Sequence, residues 1–241
     1  MTPDIFSILI LNARPAAGKS EIIDYLKRTP LEERQQRFHV GELAIIDDFP
    51  MIWSWFEEDA LLTKMGHPSL HTDEQGYFKW PYLWHVLIER IALDYHKHRR
   101  DVAGTHTTIL EFSRGSEHGG YREAYQHLDK EILQRAAILY VKVSFEESLR
   151  KNRARFNPDR PDSILEHALD DKKLERLYRE DDWEALSAVH PEYITSQGIQ
   201  IPYAVFDNED DVTTPRGEAL GLRLEAALGA LWKHTFKQPL P

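Results

Sequence analysis

Residues 5–28 read Ile5-Phe6-Ser7-Ile8-Leu9-Ile10-Leu11-Asn12-Ala13-Arg14-Pro15-Ala16-Ala17-Gly18-Lys19-Ser20-Glu21-Ile22-Ile23-Asp24-Tyr25-Leu26-Lys27-Arg28, and this stretch decides the fold. The apolar run 5–11 predicts a central strand buried on both faces of a sheet. Residues 21–28 predict a helix with Ile22, Ile23 and Leu26 on one side, stopped by Thr29-Pro30. Between them lies a loop that suits a phosphate. Its backbone N–H groups and the helix N-terminus favour an anion, a lysine can reach terminal phosphates, and a hydroxyl can ligate Mg²⁺. Lys19 and Ser20 occupy the last two positions. The generic motif, Gly-x-x-x-x-Gly-Lys-Ser/Thr, has glycine where this chain has Ala13, and Pro15 removes one N–H donor.

The rest of the chain alternates strands and helices. Residues 43–46 predict a second strand ending in Asp47-Asp48, and 107–112 a third. Residues 137–143 and 203–206 predict a fourth and a fifth. Helices are expected at 52–65, 82–99, from Tyr121 through Ile132, at 145–156 with a break at Asn157-Pro158, at 170–183 and at 218–232. The polar segment 66–76 reads as an exposed loop. Such alternation implies βαβ units, a mainly parallel sheet and helices on both faces. A single α/β domain is expected, with a helical insertion at about 50–100 on the substrate side and a lid segment at about 145–185.

Composition removes several function classes. No cysteine is present, which excludes a disulfide scaffold or thiolate metal site and fits a reducing compartment. The start lacks a basic signal-peptide region and the first apolar run is too short for a membrane span, so a cytoplasmic location is expected. A net charge of −10 disfavours nucleic acid as a partner, and no membrane partner is expected; a homodimer is left open. The 12 histidines show no zinc-site spacing and read as scattered, solvated side chains.

With strand, Gly18-Lys19-Ser20 loop and helix in that order, the chain resembles the P-loop kinases of the nucleoside and nucleotide kinase group. The resemblance implies a three-layer fold with a parallel five-stranded sheet in the order 2-3-1-4-5. It also implies ATP or GTP as nucleotide, with Mg²⁺. Ala13, Arg14, Ala16, Ala17, Gly18, Lys19 and Ser20 would form the nucleotide cradle, with Ser20 on the metal.

Further local echoes are of the deoxynucleoside kinases, in which strand two ends in an acid followed by Pro and, three residues on, Trp. Here the sequence runs Asp47-Asp48-Phe49-Pro50-Met51-Ile52-Trp53, with Phe49 between acid and proline. A carboxylate at that strand edge can act as general base or hold substrate hydroxyls; it can equally cap the next helix. Trp53 is a candidate substrate residue. Glu111-Phe112-Ser113-Arg114 resembles, in different order, the family's Glu-Arg-Ser, which implies a metal-side role for Glu111 and a substrate role for Arg114. Arg150, Arg153 and Arg155 match the family's lid spacing within five cations over residues 150–160, and guanidinium groups there would stabilise a moving phosphoryl group. Asn208, after the last core strand, is a candidate contact to the base. The aromatic segment Trp53 to Trp84 can wall a pocket or form the core of a helical subdomain.

The leading expectation is a kinase acting on a small hydroxylated or phosphorylated metabolite, such as a nucleoside or nucleotide, with Lys19, Asp47 or Asp48, Glu111, Arg150 and Arg153 as catalytic candidates. The alternative is a nucleotide-binding regulator with slow or no hydrolysis. No guanine-reading Asn/Thr-Lys-x-Asp segment is present, and a sulfotransferase-like protein fits Gly-Lys-Ser less well.

Overall fold

The computed structural model describes residues 4–101, 106–155, 159 and 168–235. The Asn157-Pro158 break and Arg160 lie outside them. The strands are β1 (Ile8–Ala13), β2 (Glu42–Asp47), β3 (His106–Phe112), β4 (Ala136–Lys142), β5 (Tyr193–Ser196) and β6 (Ile199–Asp207). They form one sheet in the order β2-β3-β1-β4-β6-β5. All pairings are parallel except β5 with β6. The parallel strands therefore follow the expected 2-3-1-4-5 order, with β6 in fifth place. The sheet has six strands rather than five, because β5 adds an antiparallel edge through a turn at Gln197 and Gly198, both at positive φ. Gly198 meets that geometry without strain.

The central strand explains the layering. Successive side chains of a strand point to opposite faces. Ile8 and Ile10 pack with Ile88, Ile91, Tyr121, Tyr125 and Trp183 on one side. Leu9, Leu11 and Ala13 pack with Ile22, Leu26, Phe38, Leu220, Leu224 and Leu228 on the other. A run apolar at every position is what a strand covered on both faces requires.

The helices on the second face are α1 (Lys19–Arg28), α2 (Leu31–Phe38) and α10 (Glu218–Thr235). Two further long helices, α3 (Phe49–Lys64) and α4 (Tyr82–Asp101), connect β2 to β3. Between them Asp59 organises the loop: its carboxylate accepts the N–H groups of Leu70 at 2.7 Å and Thr72 at 2.7 Å and the Thr72 hydroxyl at 2.6 Å. Trp55, Trp84 and Leu87 form a small separate core for this insertion, with Phe78 packed against it.

One expected helix, from Tyr121 through Ile132, appears as a pair, and another, 170–183, stops at Tyr178, with a separate short helix beginning at Trp183. α5 (Gly120–Gln126) and α6 (Lys130–Arg135) are separated at Asp129, whose side chain accepts the Ile132 N–H at 3.0 Å. After α7 (Phe145–Arg155) come α8 (Asp171–Tyr178) and α9 (Trp183–Ser187). Asp181 accepts the Trp183 N–H at 3.1 Å, while Asp182 accepts the N–H groups of Tyr121 and Arg122 at 2.7 and 3.0 Å. Aspartates that satisfy helix-start N–H groups break a helix more readily than they extend one. Among the described residues, no helix is long and apolar enough to cross a membrane.

Leu9 has no exposed surface and packs within the face built by α1, α2 and α10. Leu9→Ala should lower the unfolding free energy by about 2–5 kcal/mol. A urea titration that shows a loss well under about 1 kcal/mol would contradict this packing.

Candidate active site

Strand β1 ends at Ala13 and delivers the chain to a tight loop. Ala16 has φ 58° and Gly18 φ 114°, so the loop enters the left-handed region at both positions. A Cβ on Gly18 would stand 2.5 Å from Thr213 Oγ1 and 2.9 Å from Asn208 Nδ2, so only glycine fits on grounds of both torsion and space. Asn208 Nδ2 donates to the Ala17 carbonyl and to Thr213 Oγ1, both at 2.8 Å. Ser148 of α7 donates to the Pro15 carbonyl at 2.7 Å. The loop is thus held from behind by two elements while α1 begins at Lys19.

A cavity of about 1170 Å³ opens in front of it. Ala16, Gly18, Lys19, Ser20, Asp47, Asp48, Trp53, Glu111, Arg150 and Arg155 all contribute to its wall. Register explains the carboxylates: Asp47 is the partner of Glu111 across β2 and β3, and Glu111 the partner of Leu11 across β3 and β1. Residues far apart in sequence thus reach the same carboxyl edge of the sheet, where open parallel sheets bind ligands. Lys19 Nζ donates to Ser113 Oγ at 2.8 Å and lies 3.9 Å from Glu111 Oε1.

Burial dominates the electrostatics. It raises the Glu111 carboxyl, with Lys19 opposing. Burial also raises Asp47 to about 8, reinforced by Glu111 and Asp48. One Asp47 oxygen accepts the Phe49 N–H at 2.9 Å, so this residue both starts α3 and faces the cavity. Asp48 is tied into a buried ion pair with Arg114 at 2.5 Å. Burial pushes the Asp48 carboxyl up and the Arg114 guanidinium pulls it down; the pairing geometry favours the ionised form.

Several sequence candidates are engaged elsewhere. Arg114 is 2% exposed and does not line the cavity. Its donors go to Asp48, the Ser113 carbonyl and the Trp84 carbonyl, and its plane lies over Trp84 and Phe112. It positions Asp48 rather than touching a ligand. The Arg14 side chain turns away from the cradle, donating to the carbonyls of Val143, Tyr178 and Arg179 and pairing with Asp181 at 3.0 Å. Asn208 is fully buried as the latch behind the loop. Arg153 points outward to Asp171 at 2.7 Å. Ala13 and Ala17 are buried, so only their backbone can serve the loop.

Sequence reading missed three residues. Lys151, inside the basic run, is buried and donates to Asp211 and to Thr213 Oγ1, the latter at 2.9 Å. It connects α7 to the latch. Burial pushes Asp211 up, yet Lys151, Thr214 and Arg150 outweigh it and hold the carboxyl at about 2. His118 lies in the cavity wall, 3% exposed, stacked on Trp84 at 3.8 Å. Its Nδ1 accepts the Gly115 N–H at 3.3 Å, which leaves Nε2 as the protonated nitrogen, and Nε2 has no partner among the described residues. Burial, with the Arg114 charge, lowers this imidazole to about 3, so it is a neutral donor. Glu21 also lines the cavity, and its Oε2 is buried without a partner. A Gly-Gly pair after His118 and an acid after the lysine-serine pair were the only sequence signals for either.

The residues fit Mg²⁺. A hydroxyl at Ser20, the raised carboxyl of Glu111 and the unpartnered Glu21 oxygen are hard donors in one cavity, the set such an ion selects. Thiolate is absent from the chain.

No protein-family model and no curated protein matches the chain. Among solved structures it is similar to a shikimate kinase from Acinetobacter baumannii in complex with shikimate, at 13% identity and a TM-score of 0.33, covering 72% of this chain and 76% of that one. It is also similar to an unliganded sugar kinase from Janibacter sp. HTCC2649, at 12% identity and a TM-score of 0.40, covering 93% and 98%. Neither likeness is strong enough to assign a substrate or an activity.

Asp47 ionises near 3.8 when unfolded and near about 8 when folded. Between those values the folded state holds the extra proton, so stability of the nucleotide-free protein should fall as pH rises through that window. Asp47→Asn should remove part of the slope and stabilise the protein at the alkaline end. Urea unfolding across this range checks it; identical slopes in both proteins would contradict the assignment.

Proposed function

We propose that the protein is a small-molecule kinase that moves the terminal phosphoryl group of ATP to a hydroxyl of a small acceptor. The observation that carries the reading is the convergence of Gly18-Lys19-Ser20, the paired strand-end acids Asp47 and Glu111, and the basic helix α7 on one cavity. Backbone N–H groups of the loop and Lys19 hold the polyphosphate. Lys19 leaves Ser113 to do so. Ser20 and Glu111, with Glu21 beside them, would hold Mg²⁺, which would supply charge neutralisation on the phosphates.

Asp47 is the general base in its ionised form, which the Lys19 charge favours against burial and which is reached toward the alkaline end of its range. Its carboxylate takes the acceptor's hydroxyl proton as the acceptor oxygen bonds to the γ-phosphorus; the bond from that phosphorus to the β–γ bridging oxygen breaks, and ADP leaves with the electron pair. Asp48, fixed by Arg114, accepts a second hydroxyl of the acceptor. Arg155, and Arg150 once it leaves Glu147 and Asp211, face the negative charge that spreads over the group in transit. Arg153, engaged with Asp171, acts only if α7 releases it.

The acceptor end is walled by Trp53, Phe56, Phe78 and Trp84, with the His118 Nε2–H as a neutral donor. A flat or apolar acceptor carrying at least one hydroxyl and one hydrogen-bond acceptor suits such a wall. A nucleoside meets that description, as do other hydroxylated ring compounds.

The test is incubation with ATP, Mg²⁺ and a metabolite library, read by mass spectrometry. A product heavier by one phosphoryl group is expected. Lys19→Ala should abolish nucleotide binding by calorimetry; unchanged affinity would reject the loop. Arg150→Ala should lower kcat by about 10²–10³-fold while nucleotide affinity changes far less. Tight nucleotide binding without any phosphorylated product would favour a nucleotide-binding regulator instead.

A further inference from the structure

His85 stands in the first turn of α4, and Glu89 one turn further on; Glu123 stands in α5, and His127 just past its end. Each pair has the i, i+4 spacing that puts two side chains on one helix face. Where the two helices meet, one ligand atom from each of His85, Glu123 and His127 lies within 4.8 Å of the other two, and all three residues are half-buried. This is the one such trio of histidine and acid side chains among the described residues.

One nitrogen of His127 is already engaged. His127 Nδ1 stands 3.0 Å from Glu89 Oε1, while His127 Nε2 faces Glu123 Oε1 at 3.6 Å. A metal-bound imidazole almost always donates its second N–H to a carboxylate or backbone carbonyl, which fixes the tautomer and raises the basicity of the ligating nitrogen. His127 has that arrangement, with Glu89 as the carboxylate.

We infer that His85, Glu123 and His127 form a binding site for a divalent transition ion of the zinc class. Two imidazoles and one carboxylate select zinc or its first-row neighbours over Mg²⁺ and Ca²⁺. Three protein ligands leave a fourth position for water. A tetrahedral zinc site needs ligand atoms about 3.3 Å apart, so the trio must draw together slightly. The two rings face each other at 4.3 Å and 20°, so at least one must turn about its Cβ–Cγ bond to aim its lone pair at the ion. Bound there, the ion clamps α4 to α5. It lies behind the segment that carries Trp84 and His118, and so stiffens the wall of the acceptor pocket. The site does not depend on the kinase reading.

The rival occupant is a proton. A charged His127 between Glu89 and Glu123 would satisfy the same carboxylates, and zinc would then find no site. The experiment is calorimetric titration of the metal-stripped full chain with zinc chloride, and with cobalt chloride followed by visible absorption. One saturable site is expected, together with a rise in Tm on zinc addition and zinc-induced shifts confined to the His85 and His127 ring nitrogens in ¹H–¹⁵N spectra of the wild type. His127→Ala and His85→Ala should each weaken binding at least about tenfold, and Glu123→Gln should weaken it too, while His67→Ala leaves it unchanged. Absence of saturable binding in the micromolar range, shifts at other histidines, or affinity that survives both histidine substitutions overturns the site. The ring-nitrogen spectra decide the matter even where a variant fails to fold.

Discussion

The structure turns on the close approach of the backbone at Gly18 to the side chains of Thr213 and Asn208. No other residue could stand there, and the contact draws three regions of the chain to one point. The loop after β6 supplies the latch, α7 supplies Lys151 to the same Thr213 hydroxyl, and Ser148 of α7 holds Pro15. A loop of small residues, one of them an alanine at φ 58°, is given its shape by these partners rather than by its own composition. The left-handed alanine costs free energy on the order of 1–2 kcal/mol, which the surrounding hydrogen bonds offset.

Charge is handled in two ways along the same sheet edge. Asp48 and Arg114 cancel each other in the interior, with every guanidinium contact directed to protein. Asp47 and Glu111 are left facing the cavity with Lys19 as their near cation, and their carboxyls rise. Adjacent aspartates therefore differ in their partners: both line the cavity, but only Asp48 holds a buried guanidinium.

Layering was legible because its signals are local: an apolar run of strand length, a glycine-lysine-serine helix start, and helical spacing in α4 and α10; the strand order came only with the resemblance that the loop carries. What stayed hidden depends on distant partners. Nothing in Glu111-Phe112-Ser113-Arg114 discloses that Arg114 will meet Asp48 and the Trp84 carbonyl. Nor does Asn208 reveal that it will face Ala17 rather than a ligand. The split of α5 from α6 and the separate start of α9 arise from aspartates whose N–H partners could be assigned only after folding. Of the aromatic segment, both readings hold: Trp55 and Trp84 build a local core, while Trp53 and Phe56 face the cavity.

The hairpin of β5 and β6 has a consequence for the molecule in crowded surroundings. A sheet whose last strand is bare presents a ladder of unsatisfied donors and acceptors to any passing chain. Here the polypeptide folds back on itself: Tyr193–Ser196 pairs with the first part of β6. The edge on this side is thereby shortened to the four residues of β5, too few to template a long ladder.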